Sequence, residues 1–373
     1  MWLKELSLLN FKNYEAAELA FISKVNAFTG DNGAGKTNLL DAIHYLSLCK
    51  SYFNPIDSQQ IHQGQEWFMV QGNFSKNQDV ELISCSLKRN QKKKFQRNKK
   101  AYERLADHIG LFPLVMISPN DLDLILEGSE TRRKFIDNVI SQSDPAYLDK
   151  VIAYNKQLQQ RNSLLKQAGR DNNLDLTLLE ILDERLVHLG EAIYASRSAF
   201  LERFIPMFNE HYVFLSQQAE HVSLEYQSQL QESDFREQLK ASLPKDQILE
   251  RTNVGIHKDD LVFYVHEMPL KKFGSQGQQK SFLIALKLAQ YAYLLEMKGY
   301  KPLLLLDDIF DKLDDKRVTK LMQMVSEDKF GQIFITHTSA GALEGIFRNI
   351  RYPLRMFQIE GGGIMKQMDY EPK

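Results

Sequence analysis

Eight residues, Gly30-Asp-Asn-Gly-Ala-Gly-Lys-Thr37, constrain this chain more than any other feature. They match the spacing GxxxxGK[ST] in full. Lys24 to Thr29 runs into them as a strand, and Leu39, Ile43 and Leu46 follow at the three- and four-residue steps of a helix. Strand, glycine turn and helix in that order open an α/β domain. Glycines let backbone N–H groups turn inward on an anion, and the start of the helix directs its positive end at the same place. Lys36 adds a point charge for the β- and γ-phosphates, and the Thr37 hydroxyl is a magnesium ligand. Gly30, Asp31, Asn32, Gly33, Ala34, Gly35, Lys36 and Thr37 are therefore the candidate nucleotide-binding residues, with ATP and Mg2+ as cofactors. Lys36 is also counted as catalytic.

Far along the chain, Leu303-Leu-Leu-Leu-Asp-Asp308 reads as an interior strand with an acidic end. Beside a phosphate loop, Asp307 is placed to hold magnesium, and Asp308 to orient or deprotonate an attacking water. Gln332 to Thr336 is a further strand, closed by His337. A lone histidine is usually structural. At the end of a strand beside a nucleotide site, His337 reads instead as a contact to the γ-phosphate. The cluster Asp307, Asp308, Asp311, Asp314 and Asp315 lacks the spacing and the glycine of a calcium loop.

The chain has 373 residues, 43% of them hydrophobic, so a sizeable core can form. Only Cys49 and Cys85 are cysteines, which excludes a disulfide scaffold and a four-cysteine zinc site. Lys4 and Glu5 interrupt the apolar start, which argues against a signal peptide. No apolar run approaches the ~20 residues that span a bilayer. A cytoplasmic protein with no membrane attachment is expected. Leu3, Leu6, Leu8 and Phe11 mark an opening strand, and residues 67–104 read as short strands with polar turns. Residues 120–240 turn helical, and Leu174 to Phe208 reads as one long helix broken or ended near Pro206. α/β character returns after Thr252. The expected organisation is residues 1–118 as a first ATPase lobe, 119–250 as an inserted helical lobe, and 251–373 as the C-terminal half of the ATPase head.

Between the two phosphate-site motifs lies Gly274-Ser-Gln-Gly-Gln-Gln-Lys280, followed by an apolar helix from Phe282 to Leu295. In this position it resembles the ABC signature motif in the form used by the RecF family of DNA-repair ATPases. Other segments resemble that family in the same order: Leu9-Asn-Phe-Lys-Asn-Tyr14, Phe112 to Leu124 at the place of the Q-loop, Thr131-Arg-Arg-Lys-Phe-Ile-Asp137, Gln160-Arg-Asn-Ser-Leu-Leu165, and Asp311-Lys-Leu-Asp314 at the D-loop. The resemblance covers nearly the whole chain. Lys12 stands where arginine is usual, and Asp311 replaces the usual D-loop serine. Asn120 and Asp121 stand at the Q-loop, so no glutamine contact is assigned there.

The resemblance implies an ABC-type P-loop ATPase head of α/β class with an inserted helical lobe and no long coiled coil. It also implies a head-to-tail homodimer with ATP between the heads. Ser275, Gly277 and Gln278 of one copy would face the γ-phosphate held by the other, and hydrolysis would release the dimer. Activity would be a weak DNA-stimulated ATPase in recombinational repair and replication-fork recovery. It would bind DNA at single-strand gaps and duplex junctions and help RecO and RecR load recombinase.

Local charge fits such a partner. Residues 88–104 carry nine basic residues against the single acid Glu103, with Phe95 and Tyr102 interleaved. Lys92, Lys93, Lys94, Arg97, Lys99 and Lys100 are the candidate DNA contacts, since basic hairpins suit phosphates without reading sequence. A solvated hairpin is the competing reading. The run Arg132-Arg133-Lys134 either serves DNA or pairs acids in its own lobe. The alternative function is the nucleotide-binding subunit of a membrane transporter, against which the helical middle, the glutamine-bearing signature and the basic hairpin all argue. A long tether is excluded by length, because the longest expected helix of ~35 residues reaches only ~50 Å. A P-loop kinase leaves the signature motif unexplained.

Overall fold

The computed structural model describes residues 1–76, 79–171, 173–216, 220–309, 315–347 and 353–371. The chain begins with β1 (Trp2–Phe11), β2 (Tyr14–Ala20), β3 (Val25–Thr29) and α1 (Lys36–Leu48). It continues with β4 (Trp67–Lys76), β5 (Asp79–Lys88), β6 (Lys94–Arg97), β7 (Lys100–Ala101) and β8 (Leu114–Ile117). A helical stretch follows: α2 (Asp123–Leu126), α3 (Ser129–Ser143), α4 (Pro145–Asp171) and α5 (Leu176–Ser216). Then come β9 (Val222–Gln227), α6 (Phe235–Leu249), β10 (Asp260–Val265), β11 (Met268–Pro269), α7 (Leu270–Phe273) and α8 (Gln276–Lys298). The chain closes with β12 (Leu303–Leu306), α9 (Asp315–Ser326), β13 (Ile333–His337), α10 (Ala340–Phe347), β14 (Leu354–Glu360) and β15 (Gly363–Tyr370).

Two compact units result. The first joins residues 1–121 to 286–373, and the second is 122–285. Residues 251–285, assigned from sequence to the C-terminal half, cluster with the second unit. The reason is strand pairing: β10 pairs with β9 along six residues, Asp260 to Val265, and with β11 on its other side.

The first unit holds two six-stranded sheets, ordered β2-β1-β4-β5-β6-β7 and β15-β14-β3-β13-β12-β8. In the second of these, β14, β3, β13, β12 and β8 run parallel. β3, β13, β12 and β8 are buried at every position, as a parallel sheet covered on both faces requires. α1 touches strands of both sheets, and eleven of its residues are buried. A helix buried on nearly every side, with only Lys36, Asp41, His44 and Ser47 polar among its buried residues, belongs in such a sandwich. β2 is a strand that the sequence reading missed. Its buried positions are Tyr14, Ala17 and Leu19, which break the two-residue alternation that would signal a strand.

The second unit is built on α4, α5 and α6, with the three-stranded sheet β11-β10-β9 beside them. α5 does not end at Pro206 but runs to Ser216. Proline removes one helical hydrogen bond and costs about 3 kcal/mol in a helix interior. Phe204, Phe208, Tyr212 and Leu215 are buried on both sides of it, and each large apolar side chain contributes roughly 1.5–3 kcal/mol. Packing therefore carries the helix through. At 41 residues it spans ~60 Å.

Two buried arginines tie this unit together. Arg161 on α4, with no exposed surface, donates to Asp183 at 2.6 Å, to Asp246 at 2.7 Å and to Thr252 at 2.9 Å. Arg197 on α5 donates to Asp137 at 2.9 Å and to Asp259 at 2.9 Å. Removing one partner of such a pair strands a charge in low dielectric. Arg161→Met should lower the unfolding free energy of the second unit by about 3–5 kcal/mol in urea titrations followed by circular dichroism.

Candidate functional site

Ligands of open parallel sheets bind at the carboxyl ends of the strands. Here three neighbouring strands, β3, β13 and β12, end together, and each ends in a residue marked by the sequence. β3 runs into the glycine loop, β12 into Asp307 and β13 into His337. His337 pairs in register with Thr29, and Leu306 with Ile335, so β3 and β13 end level and β12 ends two residues before them, leading into Asp307.

The loop takes positive φ at Gly30 (147°), Gly33 (82°) and Gly35 (116°). A Cβ at Gly30 would strike the Ile359 carbonyl, and one at Gly35 would lie 2.5 Å from Asn13 Nδ2 and 2.9 Å from the Tyr14 hydroxyl. Backbone and space both demand glycine there. Lys36 is buried, and its ammonium donates to the carbonyls of Gly30 at 2.8 Å and Asp31 at 3.0 Å. Gly30 to Ala34 also line a cleft of about 500 Å³ with Thr338, Gln358 and Gly361.

Asp307 joins the motifs. Its Oδ1 accepts the Thr37 hydroxyl at 2.8 Å and the Thr336 hydroxyl at 2.9 Å, and its amide donates to the Ile117 carbonyl at 2.9 Å. Thr336, with no exposed surface, also accepts the Asp308 amide at 2.8 Å. Asp308 is held at φ 44°, an uncommon conformation for a residue with a side chain. His337 accepts the Ser339 amide at Nδ1, at 2.8 Å, which leaves the proton of the neutral ring on Nε2 as a donor. Burial pushes the Asp307 carboxyl above the usual carboxylate range, against the lowering effect of the Thr37 and Thr336 hydroxyls.

A hydroxyl beside a carboxylate is a donor set for a hard cation. Among the described residues no group of three acidic, histidine or cysteine side chains could hold a metal unaided. Thr37 and Asp307 thus suit magnesium that keeps waters and phosphate oxygens as its remaining ligands.

The comparisons with known proteins agree with this geometry. Residues 2–359 match the family described as RecF/RecN/SMC N terminal domain. The chain is 50% identical over 359 residues to the DNA replication and repair protein RecF of Flavobacterium johnsoniae, covering 96% of this chain and 100% of that one. It is 48% identical to the protein of the same name from Phocaeicola vulgatus, covering 99% of each. The chain belongs to the RecF family. A solved structure of the recombination mediator protein RecF-ATP in the RecFOR pathway superposes with a TM-score of 0.89 at 31% identity, covering 98% of this chain and 97% of that one. The Smc head domain from Pyrococcus furiosus, at 17% identity and a TM-score of 0.58, shares the fold. The fold is that of an ABC-type ATPase head.

Other RecF-family segments fall as follows. Ser275 is exposed and precedes α8, where it forms a capping box: its hydroxyl accepts the Gln278 amide at 3.2 Å, and the Gln278 side chain accepts the Ser275 amide at 2.7 Å. Gln278 also donates to Glu220 at 3.0 Å, while Gly277 lies in the first turn of α8. The Q-loop position is a salt-bridge site, with buried Asp121 paired to Lys287 at 2.6 Å. Lys12 pairs with buried Asp41 at 2.5 Å. Asp311 and Asp314 lie outside the described residues, and so does the side chain of Asp315.

The basic hairpin divides. Lys92, Lys94, Lys99 and Lys100 are exposed, with Asn98 and Lys99 both at positive φ in the tight turn between β6 and β7. Lys93 instead turns inward, 2.9 Å from Asp57 and 2.6 Å from the Cys49 carbonyl, and Arg97 pairs with Glu81. The Arg132 to Lys134 run pairs within its own unit: Arg132 with Asp260 at 2.7 Å, Arg133 with the Asp259 carbonyl at 2.6 Å, and Lys134 with Glu130 at 2.7 Å. Asn13, Tyr14, Thr336 and Gly362, all bonded to the site, were not singled out as site residues by sequence reasoning. An asparagine or threonine acting through a partner tens to hundreds of residues away carries no local signature.

A raised carboxyl binds its proton more tightly in the folded than in the unfolded chain. Asp307 therefore favours folding at acid pH, and that contribution is lost as pH rises from the usual carboxylate value through the raised one. Asp307→Asn keeps the acceptor for both threonines and removes the charge. It should raise the melting temperature of nucleotide-free protein at pH 7, with the gain shrinking toward pH 4.

Proposed function

We propose that this chain is a magnesium-dependent ATPase of DNA replication and recombinational repair whose nucleotide state controls a homodimer bound to DNA. The observation that carries this reading is the meeting of the glycine loop, the Thr37–Asp307 pair and His337 at three adjacent strand ends. Loop amides and Lys36 bind the α-, β- and γ-phosphates, with Lys36 leaving its carbonyl partners for phosphate oxygens. Thr37 and Asp307 hold magnesium, which when bound neutralises charge on the β- and γ-oxygens. Asp308 orients or deprotonates the attacking water, and His337 donates from Nε2 to the γ-phosphate.

Ser275, Gly277 and Gln278 of a second copy close the site. The exposed Ser275 hydroxyl and the first amides of α8 present a helix N-terminus, which favours an anion. ATP thus binds the dimer better than ADP does, and hydrolysis weakens the dimer through that differential affinity. The names of the relatives favour DNA over a membrane partner. Single-strand gaps beside duplex, stimulation of a slow ATPase by DNA, and work with RecO and RecR in loading recombinase are the finer parts of the same reading.

On this reading the exposed lysines of the hairpin bind DNA phosphates. Each phosphate neutralised on duplex steepens log affinity against log salt by roughly 0.9. Replacing Lys92, Lys94, Lys99 and Lys100 by glutamine should weaken DNA binding in ATP across all sequences and flatten that slope, with ATP affinity retained. Lys93→Gln should lower the melting temperature instead, since its charge faces Asp57. DNA titrations at several salt concentrations, with ATP and with ADP, check this. A slope unchanged in the quadruple variant makes the hairpin a solvated face, and equal DNA affinity in ATP and ADP removes the nucleotide control.

A further inference from the structure

The phosphate loop has a support that its motif does not describe. The turn between β1 and β2 grips α1 and the loop through three consecutive residues. Lys12 pairs with Asp41 on α1. Asn13 Nδ2 donates to the Ala34 carbonyl at 3.1 Å, and Asn13 Oδ1 accepts from Asn38 Nδ2 at 2.7 Å. Tyr14, with no exposed surface, donates its hydroxyl to the Gly35 carbonyl at 3.1 Å. The Gly362 amide, from the turn after β14, donates to the same Ala34 carbonyl at 3.0 Å.

A trans peptide is planar, with its C=O and N–H pointing opposite ways. Fixing the Ala34 carbonyl therefore fixes the direction of the Gly35 N–H. Fixing the Gly35 carbonyl does the same for the Lys36 N–H. Gly35, between these two planes, is the residue whose backbone turns most easily. Its own carbonyl also accepts the Asn38 and Leu39 amides of α1, at 3.0 and 3.3 Å, so Tyr14 adds an anchor from outside the helix, while the Ala34 carbonyl is held by Asn13 and Gly362. Burial holds the Tyr14 phenol above its ordinary range, so it remains a donor at every working pH.

We infer that Asn13 and Tyr14 are positioning residues of the phosphate site, holding the peptide planes on either side of Gly35 so that the Gly35 and Lys36 amides face the anion. The inference rests on the ATP-site reading above and deepens it. Both residues act through the backbone of the loop, so their loss should reach the bound state and the transition state alike. That predicts an effect on affinity rather than on the chemical step.

The test uses the full chain with Mg-ATP and Mg-ADP as probes, measuring dissociation constants, KM and kcat. Tyr14→Phe keeps the ring in the core and removes only the donor. Asn13→Ala removes both amide bonds. Tyr14→Phe should weaken ATP and ADP binding about two- to tenfold, the effect of one net hydrogen bond, and Asn13→Ala at least as much, each raising KM by the same factor as its loss of affinity with kcat at saturation retained. Melting temperatures without nucleotide set the assay temperature well below unfolding, and Tyr14→Phe alone carries the test if the asparagine variant does not fold. Unchanged affinity in Tyr14→Phe, or a fall in kcat at unchanged KM, would overturn the inference. Equal ATP affinity in wild type and Lys36→Met would overturn the reading of the site itself, and the positioning roles with it.

Discussion

The Asp307 carboxylate is the interaction on which the site depends. It accepts hydroxyls from Thr37, at the start of α1, and from Thr336, at the end of β13, so one charged group ties three elements of the sheet's carboxyl edge together. Burial disfavours that charge, and only hydrogen bonds, the nearby Lys36 and a cation can offset the cost. A divalent ion bound there would relieve a cost already present in the fold. Thr336 extends the arrangement to Asp308 by accepting its amide, and so fixes the neighbour proposed to handle water.

The surrounding architecture follows from what this edge needs. Parallel strands β3, β13 and β12 must be buried on both faces, and α1 supplies one covering layer while bringing Lys36 and Thr37 with it. Because the sheet is parallel, its connections are long. The segment between β8 and β12 has room for a whole second unit, whose helices are tied together by Arg161 and Arg197 and their buried carboxylates. Such pairs fix one arrangement of helices more than they add stability, since the desolvation of each arginine cancels much of its attraction.

Much of this was legible in the sequence where the chemistry is contiguous. The loop from Gly30 to Thr37, the leucines before Asp307, and His337 each carry their meaning within a few residues, and the structure brings all of them to one edge. What stayed hidden depends on distant partners or on burial. Lys93 and Arg97 look like any other basic residues of their hairpin, yet one faces Asp57 and the other Glu81. Pro206 signals a helix end, and four buried neighbours override it. The sequence reading took Ser275 and Gln278 only as part of a signature motif, and the structure adds that they form a capping box.

Because Ser275 caps α8, the central claim, that ATP closes two heads onto each other through α8, can be tested without disturbing the helix. Ser275→Asp retains a good N-cap but sets a negative charge against a phosphate held by the other copy. The measurement is sedimentation velocity of wild type and variant with ATP, with ADP and without nucleotide. The wild type should sediment as a dimer only with ATP, and the variant should bind ATP with wild-type affinity yet stay a monomer. A wild type that is monomeric in ATP, or a variant that dimerises as the wild type does, would contradict it.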